Sequence, residues 1–146
     1  MPRVQRSADV TWEGNVARGS GDISAATGAF EQLPYSLATR VEEPDGHTSP
    51  EELIAAAHAS CLSMALSNGL AQAGHPADEL HTSATVTFQP GEGITKIALA
   101  VAGTVPGMDE DAFRQAAETA KENCPVSKAL AGVPEITLRA RLATST

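Results

Sequence analysis

Two cysteines in unlike settings are the residues of this chain best placed to do chemistry. Cys61 lies within Leu53 to Ala77, a stretch with no Asp, Glu, Lys or Arg. Cys124 opens the segment Cys124-Pro125-Val126-Ser127-Lys128-Ala129-Leu130, which reads as the first turn of a helix with Cys124 as N-cap and Pro125 at N1. Backbone N–H groups at such a position stabilise a thiolate and lower a thiol's pKa. A buried lone cysteine is otherwise a small hydrophobe, and that is the plain reading of Cys61 taken alone. One sheltered thiol and one activated thiol suit a peroxidase pair: a thiolate takes oxygen from a peroxide and becomes a sulfenic acid, and the second thiol condenses with it to a disulfide. The two stand 63 positions apart, so the fold must bring their Cα atoms within roughly 7 Å. Activation favours Cys124 as the attacking thiol and an apolar pocket favours Cys61; both orders stay open on these grounds.

A mid-helix thiol has no helix end to activate it, so Cys61 needs a cation from elsewhere. Arg40, on the strand-like run Tyr35 to Glu42, is a candidate; its plain alternative is an exposed strand residue. Glu51 precedes Cys61 by ten positions, about 15 Å along one helix, so the two cannot touch within a chain. Across a two-fold axis, Glu51 of a second copy could approach the thiol and hold Arg40 in a salt bridge. As a first-turn carboxylate it also suits the helix dipole without any catalytic role. His58, one turn before Cys61, invites a Cys–His or zinc reading. Zinc sites need about four ligands, usually in short paired spacings that are absent here. The favoured reading of His58 is a satisfied core histidine. His47, His75 and His81 fall in polar or turn-like segments and are read as solvated. No nucleophile elbow or Ser-His-Asp signature is present.

The elements that must position these residues follow from local signals. Residues 3–42 alternate in places (Val4, Arg6, Ala8, Val10, Trp12), with turns at Glu13-Gly14-Asn15 and Gly19-Ser20-Gly21-Asp22; short antiparallel strands are expected. Ser49 as N-cap, Pro50 at N1 and Glu52 at N3 form a capping box that starts a helix, and Gly74 with Pro76 stops it. Glu79 to Gln89 and Ile94 to Val105 form a hairpin through Pro90-Gly91-Glu92-Gly93. Asp109 to Asn123 is an exposed helix, a short helix runs from Cys124 or Pro125 to Gly132, and Glu135 to Leu142 is the last strand. The order βββ-α-ββ-αα-β defines an α+β class. The long helix carries Leu53, Ile54, Ala56, Ala57, Cys61, Leu62, Met64, Ala65, Leu66 and Leu70 over most of its circumference, so it must be surrounded. One sheet covers one side, and a second subunit covers the other in an obligate homodimer with two such helices at its centre.

The 146 residues are expected to form one domain, residues 1–146. Aromatic content is only 3%, so the core must be built from Ala, Val, Leu and Ile. A net charge of −8 argues against nucleic-acid binding, which requires clustered Lys and Arg. The N-terminal residues have no apolar signal region. Residues 53–77 are long enough to span a bilayer, but His58, Ser60, Ser63, Ser67, Asn68, Gln72 and His75 favour a soluble helix over a lipid-facing one. A cytosolic protein keeps its cysteines reduced unless they are catalytic, metal-binding or redox-sensing, and the cytoplasm is the expected location.

The stretch from Thr48 through Ser49-Pro50-Glu51-Glu52-Leu53-Ile54 to His58-Ala59-Ser60-Cys61 resembles the helix motif of the OsmC/Ohr family, the osmotically inducible and organic hydroperoxide resistance proteins. Cys124-Pro125-Val126-Ser127-Lys128-Ala129-Leu130 matches its second motif. Asn15 to Gly19, Pro34 to Arg40 and Glu135 to Leu138 extend the resemblance over nearly the whole chain. It implies antiparallel β-sheets wrapped around two long central helices in an intertwined homodimer. It implies a thiol peroxidase that prefers organic hydroperoxides to hydrogen peroxide, acting in oxidative or osmotic stress defence. By similarity Cys61 is the peroxidatic thiol, Cys124 the resolving thiol, Arg40 the activating arginine and Glu51 its partner. Arg40 resembles the OsmC branch; Arg18 lies near the arginine position of the Ohr branch. No metal or organic cofactor is implied, and the electron donor is an external dithiol, of lipoyl type in Ohr-like members. Two rivals remain from other classes: a non-catalytic dimer binding apolar or acyl ligands, and a redox-sensing dimer whose disulfide changes shape for a partner.

Overall fold

The computed structural model describes residues 3–143. The chain divides after Leu53 into two compact units. In the N-terminal unit, β1 (Ala8–Glu13), β2 (Ser20–Ala25) and β3 (Leu33–Tyr35) form an antiparallel sheet in that order. Its register sets Trp12 and Tyr35 on either side of Gly21. The two rings pack tilted over that glycine, with centroids 5.6 Å apart. A Cβ at position 21 would lie 2.6 Å from the Tyr35 ring and 2.8 Å from the Trp12 ring. Gly21→Ala is therefore expected to cost about 1–3 kcal/mol through overpacking. Trp12 is the only tryptophan, so a changed emission spectrum and a lowered melting temperature report it; an unaltered spectrum would contradict this packing.

A short helix, α1 (Leu37–Val41), follows where the sequence pattern suggested strand. Reciprocal capping explains it. Thr39 N–H donates to Ser36 Oγ at 3.2 Å, and Ser36 N–H donates to Thr39 Oγ1 at 2.8 Å. Two backbone donors that a strand would have to pair elsewhere are thus satisfied locally.

The long helix α2 (Pro50–Gln72) begins where expected, Glu52 N–H donating to Ser49 Oγ at 3.2 Å, but the reciprocal half of the expected capping box is replaced by a contact to Thr48. The Glu52 carboxylate accepts from Thr48 Oγ1 at 2.8 Å. At the other end Gly74 takes a positive φ of 87°, and His75 N–H reaches back to the Leu70 carbonyl at 2.9 Å, the geometry of a glycine-terminated helix.

In the C-terminal unit, β4 (Glu79–Gln89), β5 (Gly93–Thr104) and β6 (Glu135–Leu142) form the second sheet in that order. β4 and β5 are the expected hairpin, with a bulge at Thr87/Phe88. β6 instead runs parallel to β5, so this sheet is mixed where antiparallel strands were expected. The crossover through α3 (Glu110–Asn123) and α4 (Pro125–Ala129) is long enough to return the chain to the same end. Asp109 caps α3, accepting from Ala112 N–H at 2.8 Å. α4 stops at Ala129, before the Gly132 expected to end it.

Leu62, Leu66 and Leu70 of α2 meet Ile97, Leu99 and Val101 of β5 and Phe113, Ala117 and Ala120 of α3. Phe113 fits because Gly103 leaves room: a Cβ there would lie 2.7 Å from its ring. The core is aliphatic with one large aromatic, as the composition required.

The expectation of a fully buried α2 is not met within one chain. Only 22% of its most apolar stretch is buried, although its length and composition would suit a membrane span. His58, Leu62, Leu66 and Leu70 face inward. Ala57, Ser60, Met64, Ser67 and Ala71 form the opposite, exposed stripe. Within the C-terminal unit the sheet and α3 cover one side of the helix.

Candidate active site

Pro125 explains where Cys124 sits. A residue before proline is driven out of the helical region, and Cys124 adopts φ −63°, ψ 119°. It therefore ends α3, donating its N–H to the Ala120 carbonyl at 2.8 Å, and starts α4, its carbonyl accepting from Lys128 N–H at 3.1 Å. The side chain is wholly buried. Cys61, mid-way along α2, is half-buried. The fold brings the two thiols within hydrogen-bonding reach, and both are free.

Their environments differ in electrostatics. Burial, the hydrogen bond to Cys124 and the charge of that neighbour push the Cys61 thiol up, against one opposing N–H from Val126. Burial also acts to raise Cys124. The hydrogen bond from Cys61, the N–H and hydroxyl of Ser127 and the N–H of Val126 outweigh it and hold Cys124 below the ordinary thiol range. Cys124 is thus the better-stabilised anion, as its N-cap position suggested. With only five residues in α4, individual N–H and O–H groups do this work and a macrodipole adds little. Access ranks the thiols the other way, because Cys124 has no exposed surface.

His58 is wholly buried, and its Nε2 lies 2.7 Å from Ser127 Oγ. Its Nδ1 has no hydrogen-bond partner among the described residues. It is a core histidine, as read, but only half satisfied, and it reaches the cysteines through a serine that sequence reasoning did not single out. Burial lowers its pKa below the ordinary histidine value of 6.5. The unfolded chain then takes up a proton that the folded chain refuses, so stability present above about pH 6.5 is lost as pH falls through the folded pKa. A plot of melting temperature against pH is expected to fall on the acid side, and His58→Gln to flatten it; equal slopes would refute the assignment. His47 and His81 are exposed and His75 is half-buried. Among the described residues no three His, Cys, Asp or Glu side chains converge as metal ligands would.

In the N-terminal unit, Arg40 sits in the last turn of α1 and Glu51 in the first turn of α2. They form a two-pronged ion pair: Nε donates to both Glu51 oxygens at 3.0 and 3.1 Å, and Nη2 to Oε2 at 2.7 Å. Glu51 is buried. Its hydrogen bonds push the Arg40 guanidinium further up, so the cation is permanent. The pair closes within one chain and needs no second copy. Arg40 also lines a cavity of about 210 Å³ with Trp12, Val16, Tyr35, Ser36 and Leu37. Arg18 lies exposed in the turn after β1, its N–H donating to Asn15 Oδ1 at 2.9 Å. The fork to Glu51 belongs to Arg40, the arginine read as OsmC-like.

A pair of free, neighbouring thiols on this α+β frame is the arrangement that dithiol chemistry needs. Comparison with known proteins gives the family. The OsmC-like protein model matches residues 43–139. The chain is 44% identical over 138 residues to the peroxiredoxin OsmC of Escherichia coli strain K12, covering 92% of this chain and 94% of that protein. Among solved structures, a putative organic hydroperoxide resistance protein of Vibrio cholerae superposes with a TM-score of 0.73 at 24% identity, over 94% of this chain and 93% of that one. One from Elizabethkingia anophelis does so with a TM-score of 0.70 at 21% identity, over 99% and 100%. The chain belongs to the OsmC family.

Proposed function

We propose that this chain is a thiol peroxidase of the peroxiredoxin type that reduces organic hydroperoxides, and hydrogen peroxide more slowly. The observation that carries this reading is an accessible thiol, Cys61, hydrogen-bonded to a wholly buried and better-stabilised one, Cys124, in a relative of the peroxiredoxin OsmC. The Cys61 thiolate attacks the terminal peroxide oxygen; the O–O bond breaks, and the alkoxide leaves and takes up a proton as alcohol. The peroxide is reduced and Cys61 becomes a sulfenic acid. Cys124 thiolate then attacks that sulfur and releases hydroxide, forming the Cys61–Cys124 disulfide. An external dithiol, of lipoyl type, reduces the disulfide and is itself oxidised. No metal or organic cofactor takes part.

The rest of the site comes from assembly. The exposed stripe of α2 is mostly small residues around Met64, which is 74% exposed. A second copy packs its own α2 there, giving an intertwined homodimer with two central helices. In that dimer the Arg40–Glu51 pair stabilises the Cys61 thiolate, and the cavity beside Arg40 takes the alkyl group. Each buried CH₂ favours binding by about 0.8 kcal/mol, hence the preference for organic peroxides. The protein works in the cytoplasm in oxidative or osmotic stress defence, without nucleic-acid or membrane partners.

The test is steady-state consumption of cumene or tert-butyl hydroperoxide with dihydrolipoamide as reductant, beside hydrogen peroxide. Turnover with formation of one disulfide per chain is expected. Absence of turnover with several dithiols, or uptake of apolar ligands unaffected by Cys61→Ser, would replace the enzyme by a binding protein.

A further inference from the structure

The wholly buried His58 has a role that its place in the core does not require. Ser127 Oγ stands between His58 Nε2, 2.7 Å away, and the Cys124 thiol with which it also hydrogen-bonds. A serine hydroxyl has one proton and two lone pairs. With two neighbours, its proton goes to one of them and it accepts from the other. Two arrangements are possible. If Ser127 donated to His58, the neutral imidazole would carry its proton on Nδ1, which has no partner among the described residues. That would leave a buried N–H donor unpaired, a rarer and costlier state than an under-used acceptor. If His58 donates from Nε2, the bare Nδ1 is the orphan, and the hydroxyl proton is free for Cys124. Burial disfavours the charged ring, which is consistent with this tautomer.

We propose that His58 is a positioning residue for Cys124, its Nε2–H fixing the Ser127 hydroxyl so that the hydroxyl proton points at Cys124 Sγ. The chain of donors runs His58, Ser127, Cys124, and Cys61 donates to Cys124 from the other side. The groups acting on the Cys124 sulfur are Cys61 from α2 and Val126 and Ser127 from α4, with His58 behind Ser127. The role rests on the reading of Cys124 as the resolving thiol: a held hydroxyl keeps its sulfur a competent nucleophile for oxidised Cys61 without exposing it to peroxide.

The test does not use peroxide. In Cys61→Ser protein, Cys124 is the only thiol, and thiolate absorbance near 240 nm follows its titration. Adding His58→Leu is expected to move the midpoint up by about one pH unit, the equivalent of one lost hydrogen bond to an anion. His58→Gln, which keeps an N–H at similar reach, is expected to restore it. Ser127→Ala is expected to raise the midpoint as well, and His58→Leu to add nothing on top of Ser127→Ala. An unchanged midpoint in folded His58→Leu, or an equal shift with and without the serine, overturns the proposal. Nitrogen-15 NMR of the reduced, unsubstituted protein decides independently of any variant's folding: an Nε2–H imidazole supports it, and an Nδ1–H imidazole or an imidazolium overturns it. A protein inactive with every hydroperoxide would still give these readings, so the two proposals fail separately.

Discussion

Cys61→Ser is expected to reduce peroxide turnover to the uncatalysed background, a fall on the order of 10⁶-fold if removal of an enzyme's nucleophile is the guide. Cys124→Ser is expected to behave differently. Its first equivalent of hydroperoxide is still converted to alcohol, leaving a sulfenic acid on Cys61 that no internal thiol captures, and steady-state turnover then falls to the rate at which the external dithiol reaches it. The asymmetry matters because electrostatics alone ranks the thiols in the opposite order. Hydrogen bonds hold Cys124 below the usual thiol range and burial lifts Cys61 above it. A thiolate that peroxide cannot touch is nevertheless not a peroxidatic thiolate, and Cys124 has no exposed surface. Stopped-flow measurement of the first turnover separates the two orders: a burst in Cys124→Ser and none in Cys61→Ser supports attack by Cys61. The reverse pattern would make Cys124 the attacking thiol.

Features written in contiguous residues were legible in the sequence. Ser49-Pro50 with Glu52 marked the start of α2, and the helix begins at Pro50. Cys124-Pro125 marked a break between helices, because proline constrains the residue before it in any context. The range of β6 was read to the residue, its bounds set by local alternation. What failed depended on partners elsewhere. Tyr35 to Glu42 has the composition of a strand, but the Ser36–Thr39 exchange of hydrogen bonds turned it into α1. Nothing in Glu135 to Leu142 told whether it would pair parallel or antiparallel, since that depends on the crossover before it. His58 and Ser127 are 69 positions apart, and their hydrogen bond exists only because α4 is held against α2. The same limit applied to the cysteines: their types and settings suggested a pair, and only the fold brought them together.

Arg40→Ala is expected to slow the attack on peroxide by about 10- to 100-fold with secondary structure retained, the scale of one hydrogen bond between charged groups. The sign follows from Cys61. Burial and its thiol neighbour both disfavour its anion, so a cation brought to it by assembly lowers the cost of ionisation, and losing that cation moves the alkylation of Cys61 to higher pH. Arg40→Lys is expected to recover little. Glu51 is gripped by a planar fork, three contacts between 2.7 and 3.1 Å, and an ammonium cannot hold a carboxylate in that way while facing a second group. Co-expression then distinguishes action within a subunit from action between subunits. In a mixed dimer of an Arg40→Ala chain and a Cys61→Ser chain, action between subunits leaves one site complete, with Cys61 from the first chain and Arg40 from the second. Action within a subunit leaves none. The proposed assembly requires about half of wild-type activity in the mixed dimer, from two variants each of which is impaired alone. A mixed dimer no faster than its Arg40→Ala parent would confine Arg40 to its own chain's thiols.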